Sequence, residues 1–368
     1  MARAPRFFSS GAAPLPAFGM IEGTQVEELL SVEARYAEAA GARAAWVVEA
    51  SHAPAALACT GLAAEAVLVV CANDFEQAFA HGFPCRCVRF LNAPVVDDFV
   101  GASIEARSAG LPVIWFVNSV GCRGLRVADV RSLAARAREL DVLLAVDNTV
   151  PSFFGCRACE LGAAVVLEAL DRVMAGAGPC RVVAVSVAHP HGRYARRRYT
   201  DERAAWAFDH MERMRAAGSL DVTGCTGELA TVLGSGIASM PARMQAHMDH
   251  ARAVAEYLAA HDGLRSVSYP GLSSHVDRSL ASTVLSHGAG PAIDIELPSG
   301  WTASMLFDSL GSAYRSSPAG GAHTRVSALD GVDGCAVRLF AGTDDPLGVI
   351  DDLDRALAAS LRDECPSR

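Results

Sequence analysis

Residues 142–171 read VLLAVDNTVPSFFGCRACELGAAVVLEALD, and this stretch decides the fold. It contains two short runs of apolar residues, Val142–Val146 and Val165–Leu167, separated by a segment of mixed polarity. Strands that are apolar along their whole length are buried on both faces, as in a parallel sheet that helices cover on either side. The stretch therefore predicts two strands of a doubly wound α/β domain.

The same pattern extends along most of the chain. Further short apolar runs alternate with amphipathic helical patterns; these runs are Ala45–Val48, Ala66–Cys71, Cys87–Leu91, Pro112–Val117 and Arg181–Val187. A long helical pattern, Glu228–Ala260, then leads into a mixture of strands and helices that is typical of a smaller α+β domain. We predict an N-terminal arm and helix in residues 1–44, a large, mainly parallel α/β domain in residues 45–227 and a smaller C-terminal α+β domain in residues 228–368.

The overall charge and hydropathy argue against several classes of protein. The 368 residues carry a formal net charge of -9, whereas nucleic-acid binding depends on a basic surface. No segment has the length and apolar character of a membrane span, and the N-terminal residues lack the apolar core of a secretory signal. We therefore expect a cytoplasmic protein that binds neither nucleic acid nor membrane, with its eleven cysteines as reduced thiols.

Three segments match motifs that occur together in one enzyme family. They are Asp147-Asn148-Thr149 followed by Glu160-Leu161-Gly162-Ala163, then Tyr269-Pro270-Gly271-Leu272-Ser273-Ser274-His275, and finally Val337-Arg338-Leu339. In this order and spacing they resemble the cystathionine γ-synthase-like family, which makes and breaks C–S bonds with pyridoxal phosphate (PLP). The resemblance implies PLP-dependent transferase fold type I, which is aspartate-aminotransferase-like, and assembly into dimers or tetramers.

The residue that carries the family's chemistry is missing from this chain. All 32 residues counted as lysine or arginine are arginines. In the family a Ser-Ala-Thr-Lys run supplies the Schiff-base lysine, and the resemblance places that run on Ala169, Leu170, Asp171 and Arg172. A guanidinium stays protonated and delocalised, so Arg172 cannot be the nucleophilic amine. We expect that PLP, although it is the family cofactor, is not bound covalently and that conventional PLP catalysis is absent.

The positions that bind the PLP phosphate in the family are altered as well. The resemblance puts Ala169 and the anionic Asp171 where the family has serine and threonine hydroxyls. A Ser-Gly-Met turn, whose amides also hold the phosphate, corresponds to Ala50, Ser51 and His52. We expect Ser51 to cap the helix that follows, so that the first amides of this helix still attract an anion.

Aromatic and arginine contacts to PLP have no clear counterpart either. The family's ring-stacking tyrosine falls near Phe75–Phe79, where Phe75 or Phe79 could supply a ring or could pack in the core. The tyrosine and arginine that a neighbouring subunit lends to the phosphate fall near Ile21 and Gly23.

Two functional positions of the family persist. Asp147 matches the aspartate that keeps the pyridine nitrogen of PLP protonated, and Arg338 matches the arginine that binds the substrate carboxylate. Each residue also has a structural interpretation. Asp147 could cap the turn after its strand, and Arg338 could pair with a neighbouring carboxylate.

Thiols and imidazoles offer further candidate sites. Cys156-Arg157-Ala158-Cys159 is a CxxC pair near a helix start, and together with Cys85-Arg86-Cys87 it suggests a four-thiolate zinc site. His189-Pro190-His191 could bind a metal with Glu168 as a third ligand. Because CxC is poor zinc spacing and HxH is common by chance, we expect buried thiols, a polar strand end and no metal.

Three functions compete at this point. The first is a catalytically degenerate family member with a structural or regulatory role, which self-associates or joins an active paralogue. The second is a PLP-dependent lyase or transferase of transsulfuration, in cysteine and methionine metabolism, that holds PLP without a lysine. The third is a protein that uses the old cleft to bind a small anionic metabolite through Ser51, His52 and Arg172, or a metal through His189-Pro190-His191. The simultaneous loss of several cofactor contacts favours the first function.

Overall fold

Two sheets and a hairpin form the framework of the protein. The computed structural model describes residues 24–174, 181–190, 201–222, 227–311, 313–316, 319–329 and 334–363. Among these residues the strands are β1 (Ala44–Glu49), β2 (Val67–Cys71), β3 (Cys87–Phe90), β4 (Val113–Asn118), β5 (Val120–Gly121), β6 (Arg126–Val127), β7 (Leu143–Asp147), β8 (Val165–Ala169), β9 (Val182–Val187), β10 (Ser266–Ser268), β11 (Ala292–Glu296), β12 (Arg325–Ala328) and β13 (Ala336–Phe340).

The large sheet consists of the strands that the apolar runs predict. Its order is β1-β9-β8-β7-β4-β2-β3, and neighbours from β8 to β3 are parallel. Strand β9 runs antiparallel to both β1 and β8. All seven predicted runs are confirmed as strands, with ends that differ by at most two residues. Strands β2, β4, β7, β8 and β9 are buried at every residue, as expected for a sheet covered on both faces.

Helices lie between most of these strands. Those of the described residues are α1 (Thr24–Ala40), α2 (Ala53–Cys59), α3 (Glu76–Ala80), α4 (Val96–Ser108), α5 (Val130–Glu139), α6 (Ser152–Gly155), α7 (Ala158–Leu161), α8 (Glu202–Ala216), α9 (Gly227–Ala259), α10 (Arg278–Val284), α11 (Ala303–Ser309), α12 (Ala313–Ser316) and α13 (Pro346–Asp363). Helix α5 starts where the Asp129 carboxylate accepts a hydrogen bond from the Ser132 N–H at 3.0 Å. None of the helices in the described ranges has both the length and the apolar composition needed to cross a bilayer.

Helix α9 connects the two hydrophobic cores. Its buried residues from Leu229 to Met248 belong to the core of the large sheet, and those from Ala251 to Leu258 pack in the second core. This second core lies around the small antiparallel sheet, whose order is β10-β11-β13-β12. Strand β12 was not predicted, because only Val326 of its four residues is buried and its pattern is weak. The domain limits at residues 44 and 227 stay a prediction.

The short hairpin β5–β6 joins the large sheet to the small one. The Gly124 N–H in its turn donates to Asp294 Oδ2 at 2.9 Å, and its carbonyl accepts from Ser268 Oγ at 3.1 Å and His275 Nε2 at 2.9 Å. Arg126 in β6 forms an ion pair with Asp277, with Nε 2.5 Å from Oδ2 and Nη2 3.0 Å from Oδ1. These contacts hold the small sheet against the edge of the large one where the candidate site lies.

Candidate functional site

The candidate site lies at the carboxyl ends of the parallel strands. Cys71 ends β2, Asn118 ends β4, Asp147 ends β7 and Ala169 ends β8. Adjacent parallel strands bring their carboxyl ends to one edge of the sheet, which is where ligands bind in open α/β sheets. The sequence-predicted residues Asp147, Ala169 and Arg172 therefore share this edge.

Asp147 is buried and held in place on both oxygens. Its Oδ1 accepts hydrogen bonds from the Thr149 N–H at 3.0 Å and the Thr149 hydroxyl at 2.6 Å, and Asn118 Nδ2 donates to Oδ2 at 3.0 Å. Burial raises the pKa of Asp147 to about 6, although the Thr149 hydrogen bonds oppose this shift. The turn-capping contact expected from the structural interpretation is present, and the pairing with a pyridine nitrogen stays a prediction.

Arg172 pairs with its neighbour Asp171 just after β8, at the edge of the large sheet that is called the cleft below. The Arg172 Nε lies 3.7 Å from Asp171 Oδ1, and 42% of the Arg172 side chain is exposed. The buried Asp171 Oδ1 has no hydrogen-bond partner among the described residues. Burial raises the pKa of Asp171, and the charge of Arg172 opposes the shift. Arg172 therefore partly neutralises Asp171 and keeps an exposed guanidinium.

The charge of Arg172 also reaches two other groups of the cleft. It lowers the pKa of Asp147 against the effect of burial. It also adds to burial in lowering the pKa of His52. Asp147, Asp171, Arg172 and His52 thus form one electrostatic neighbourhood.

His52, and not Ser51, caps helix α2. The His52 Nδ1 accepts a hydrogen bond from the Ala55 N–H at 3.1 Å, whereas Ser51 is exposed. The prediction that Ser51 caps this helix was wrong. The extended backbone at His52 directs the imidazole over the first turn of α2, and a ring nitrogen can accept the capping hydrogen bond as a hydroxyl oxygen does. The His52 ring also lies 5.4 Å from the ring of the half-buried Phe75.

Phe79 belongs to the core, as one of the two interpretations expected. It is buried and packs against Phe83 and Phe116, with ring centroids 4.9 Å from each. Phe75 is the aromatic residue that borders the cleft through His52. Ile21 and Gly23, the positions assigned to a neighbouring subunit's contacts, lie outside the described residues.

The phosphate positions do not fit a dianion. Ala169 offers a methyl group, and its N–H already donates to Thr149 Oγ1 at 3.1 Å. Asp171 offers a carboxylate with an unpartnered oxygen that would repel phosphate. Helix α2, whose first amides follow Ser51, has only seven residues, and its cap is His52. Arg172 is therefore the one favourable charge that these matched positions supply.

Arg338 is buried in a network of carboxylates. Its Nε donates to Asp294 Oδ1 at 2.6 Å and its Nη2 donates to Asp294 Oδ2 at 2.9 Å, which makes a bidentate pair between adjacent strands. Its Nη1 donates to Asp74 Oδ2 at 2.7 Å, and its Nη2 also donates to the Cys122 carbonyl at 2.7 Å. Burial by itself lowers the pKa of Arg338, but the hydrogen bonds and the charge of Asp294 outweigh burial and raise this pKa.

This network is the ion pair that the structural interpretation of Arg338 expects. A substrate carboxylate would have to displace Asp74, so substrate binding by Arg338 stays a prediction. Sequence reasoning missed both Asp74 and Asp294. The signals were present, since Asp294 is an acid inside the buried strand β11 and Asp74 follows the end of β2.

The remaining candidates are the thiols and the residues of the possible metal sites. Burial raises the pKa of Cys156 and of Cys159 to about 12, so neither is an activated thiol. Glu168 accepts hydrogen bonds from Tyr36 and Phe153 and is not free to bind a metal. His189 is exposed, and His191 lies outside the described residues. Within the ranges that the structure describes, no three metal-ligating side chains converge.

Curated proteins with similar sequences include synthases, lyases and a sulfhydrylase. The chain is 29% identical over 273 residues to cystathionine γ-synthase of Mycobacterium tuberculosis, a match that covers 71% of this chain and 64% of that protein. It is 27% identical to L-methionine γ-lyase of Pseudomonas putida, covering 70% of this chain and 64% of the relative. A third relative, O-acetyl-L-homoserine sulfhydrylase 1 of Thermus thermophilus, is 26% identical, with 80% of this chain and 74% of the relative covered. The first two matches thus span just under two thirds of the relatives' length.

Solved structures of similar fold cover nearly the whole chain. The crystal structure of apo methionine γ-lyase from Micromonospora echinospora superposes with a TM-score of 0.74 at 23% identity, and covers 90% of this chain and 85% of that one. A structure of a cystathionine γ-lyase from the same organism gives a TM-score of 0.73 at 22% identity, with 90% of this chain and 86% of the other covered. The predicted PLP-dependent transferase fold type I is confirmed.

A family model also matches most of the chain. The model that describes the Cys/Met metabolism PLP-dependent enzymes matches residues 28–358, from the first turns of α1 into α13. The chain therefore belongs to the family of PLP-dependent enzymes of cysteine and methionine metabolism.

Proposed function

We propose that this chain is a catalytically degenerate member of its family, with a structural or regulatory role in the cytoplasm as a self-associating subunit or beside an active paralogue. One observation carries the proposal: the chain has no lysine at all, and the resemblance puts Arg172 at the Schiff-base position. A guanidinium cannot replace that amine, because it stays protonated at every physiological pH. The family's Schiff-base chemistry therefore has no primary amine among the side chains of this protein.

The charges of the cleft support the same proposal. Asp171 and Asp74 place carboxylates in the cleft, and each of them faces an arginine of the chain itself. Arg172 and Arg338 are thereby engaged by internal partners that a phosphate or a substrate carboxylate would have to replace. We expect weak or absent PLP binding, since Ala169 and Asp171 stand where the resemblance expects two phosphate-binding hydroxyls.

A second function has one observation in its favour. Asp147 occupies the family's position for the partner of the pyridine nitrogen, and it is buried at the end of β7. This supports PLP-dependent C–S bond chemistry if PLP is held without a covalent bond. A third function, binding of a small anionic metabolite, is supported by the exposed guanidinium of Arg172 beside His52.

Native mass spectrometry of the purified protein separates these functions. We expect a homo-oligomer or a complex with a paralogous subunit, and no mass increment of PLP. PLP that remains bound after extensive dialysis would favour the second function, and another anion of defined mass would favour the third. A 38.5 kDa monomer with no partner would contradict the proposed subunit role.

Borohydride reduction in the presence of added PLP gives a second readout. Borohydride fixes PLP wherever an amine has condensed with it, and we expect no fixed PLP on the peptides of the cleft. The Arg172→Gln variant is the matched control, because it removes the charge but supplies no amine. Stoichiometric fixation on a cleft peptide of the wild type would contradict the proposal.

A further inference from the structure

Two buried thiols lie side by side at the edge of the cleft. Cys71 is the last residue of β2, and Cys122 follows β5 at the start of the hairpin turn. Their sulfur atoms are 3.9 Å apart, which is within hydrogen-bond distance for sulfur, and both residues are buried. They are 51 residues apart in the sequence, so no local motif predicts this pair.

The surroundings of the Cys122 sulfur stabilise a thiolate. The Cys122 sulfur lies within hydrogen-bond distance of the Cys71 sulfur, and either thiol can donate. The backbone N–H of Asn73 also donates to the Cys122 sulfur, and the nearby charges of Asp74 and Arg338 act on its pKa in opposite directions. Hydrogen bonding from Cys71 lowers the pKa of Cys122 against the effect of burial. The same hydrogen bond raises the pKa of Cys71. The pair is therefore asymmetric, with one sulfur favoured as the thiolate and the other as the thiol.

A shift of Cys122 would also disturb contacts between the hairpin and the small sheet. Its backbone is left-handed, with φ of 58°, and its carbonyl accepts the 2.7 Å hydrogen bond from Arg338 Nη2. The next residues form the turn that contacts Asp294, Ser268 and His275 in the small domain. A covalent bond between the two sulfurs would shorten their separation from 3.9 Å to about 2.05 Å and pull on this contact region.

We propose that Cys122 and Cys71 form a redox-active thiol pair that reacts with a small hydroperoxide. The Cys122 thiolate attacks the O–O bond, gains one oxygen as a sulfenic acid and releases the alkoxide, which takes a proton to become an alcohol; with hydrogen peroxide the leaving group is hydroxide, which becomes water. The Cys71 thiol then attacks the Cys122 sulfur, an S–S bond forms and water leaves. In sum, two thiols and one hydroperoxide give a disulfide, an alcohol and water, with two electrons passing to the peroxide. A dithiol reductant reverses the reaction.

Burial selects the size of the oxidant. Cys71 and Cys122 are shielded from bulk solvent, so hydrogen peroxide can reach them more readily than a bulky disulfide. The exposed Cys59 and Cys87 serve as internal comparators, because they are open to any reagent. The reaction requires no PLP, and it stands or falls separately from the loss of the family activity.

Peptide mapping of the full-length protein tests the proposal. The reduced protein is treated with hydrogen peroxide, unfolded in denaturant that contains N-ethylmaleimide so that buried thiols are blocked too, and digested with trypsin, which cuts this lysine-free chain only at arginine. Peptide 108–123 contains Cys122 as its single cysteine, and peptide 44–86 contains Cys71 together with Cys59 and Cys85. We expect these two peptides to become linked, with a loss of about 2 Da for the two hydrogens removed, and dithiothreitol to separate them.

Variants identify the sulfur atoms involved. Cys122→Ser should abolish the link, and Cys71→Ser should lower it at least about tenfold while Cys122 accumulates higher oxidation states. The double variant Cys156→Ser/Cys159→Ser is the matched control for buried thiols and should leave the link unchanged. If Cys122 of the wild type is still fully alkylated when Cys59 and Cys87 are oxidised, the proposal is overturned, and this result requires no variant to fold. Equal linkage in Cys71→Ser would overturn it as well.

Discussion

Glu168 is a buried carboxyl whose replacement by glutamine should stabilise the protein as the pH rises. Its Oε2 accepts hydrogen bonds from the Tyr36 hydroxyl and from the Phe153 N–H, each at 2.9 Å. Burial raises its pKa from 4.5 to about 8 despite these hydrogen bonds. Because the pKa is higher in the folded state, the contribution of Glu168 to stability is complete below pH 4.5 and is lost as the pH rises through about 8.

The size of the effect follows from the shift. One pKa unit corresponds to about 1.4 kcal/mol, so a rise from 4.5 to about 8 corresponds to an upper bound of roughly 5 kcal/mol. Glutamine keeps the shape and an acceptor oxygen for Tyr36 but cannot ionise. The free energy of unfolding of Glu168→Gln should therefore match the wild type near pH 4.5 and exceed it by a few kcal/mol, up to about 5, near pH 8.

Urea unfolding followed by circular dichroism at several pH values measures this difference. Glu65→Gln is the control, because Glu65 is exposed and its replacement should change the free energy of unfolding by less than about 0.5 kcal/mol at any pH. The reasoning is refuted if the difference between Glu168→Gln and the wild type is the same at both ends of this pH range. A wild type that becomes relatively more stable towards pH 8 would refute it too.

Three further predictions concern the charges of the cleft. Arg338→Ala should lower the free energy of unfolding in urea by roughly 3–5 kcal/mol, because Asp294 and Asp74 would lose their partner; a change below about 1 kcal/mol would show that solvent replaces the guanidinium. The free energy of unfolding of Asp147→Asn should rise relative to that of the wild type as the pH rises from 3.8 to about 6, by at most roughly 3 kcal/mol. A difference in urea unfolding that does not depend on pH would contradict this. Arg172→Lys should not restore turnover with added PLP, since the phosphate positions stay altered; keto-acid release by this variant would show an intact cofactor site.

The strands of the large sheet could be predicted from sequence because their burial is continuous. Val142–Val146 and Val165–Leu167 are apolar at every position, and a strand buried on both faces has no polar residues to interrupt the pattern. Strand β12 was missed because its neighbours bury only Val326. The β5–β6 hairpin was missed because two-residue strands carry too short a pattern to be recognised.

The candidate site could be predicted only in part. The resemblance led to Asp147, Arg172 and Arg338, and all three are found at the cleft or its border. Their partners come from distant segments, since Asp74 lies 264 residues before Arg338. A pair at such separation is created by the packing of the two sheets and leaves no periodic signal in the sequence. The capping of α2 by His52 depends on the extended backbone conformation at His52, which composition does not encode.

The most direct test of the proposed loss of catalysis is turnover by the wild type. The purified protein is incubated with PLP and with cystathionine, O-acetylhomoserine plus a thiol, or methionine. The release of thiol and keto acid is followed for cystathionine and methionine, and the release of acetate is followed for O-acetylhomoserine. Because the chain contains no lysine and the resemblance puts Arg172 at the position of the amine, release by the wild type should be no faster than release by the Arg172→Gln variant with PLP. PLP-dependent turnover by the wild type that this variant loses would contradict the account and would make Arg172 part of a working site.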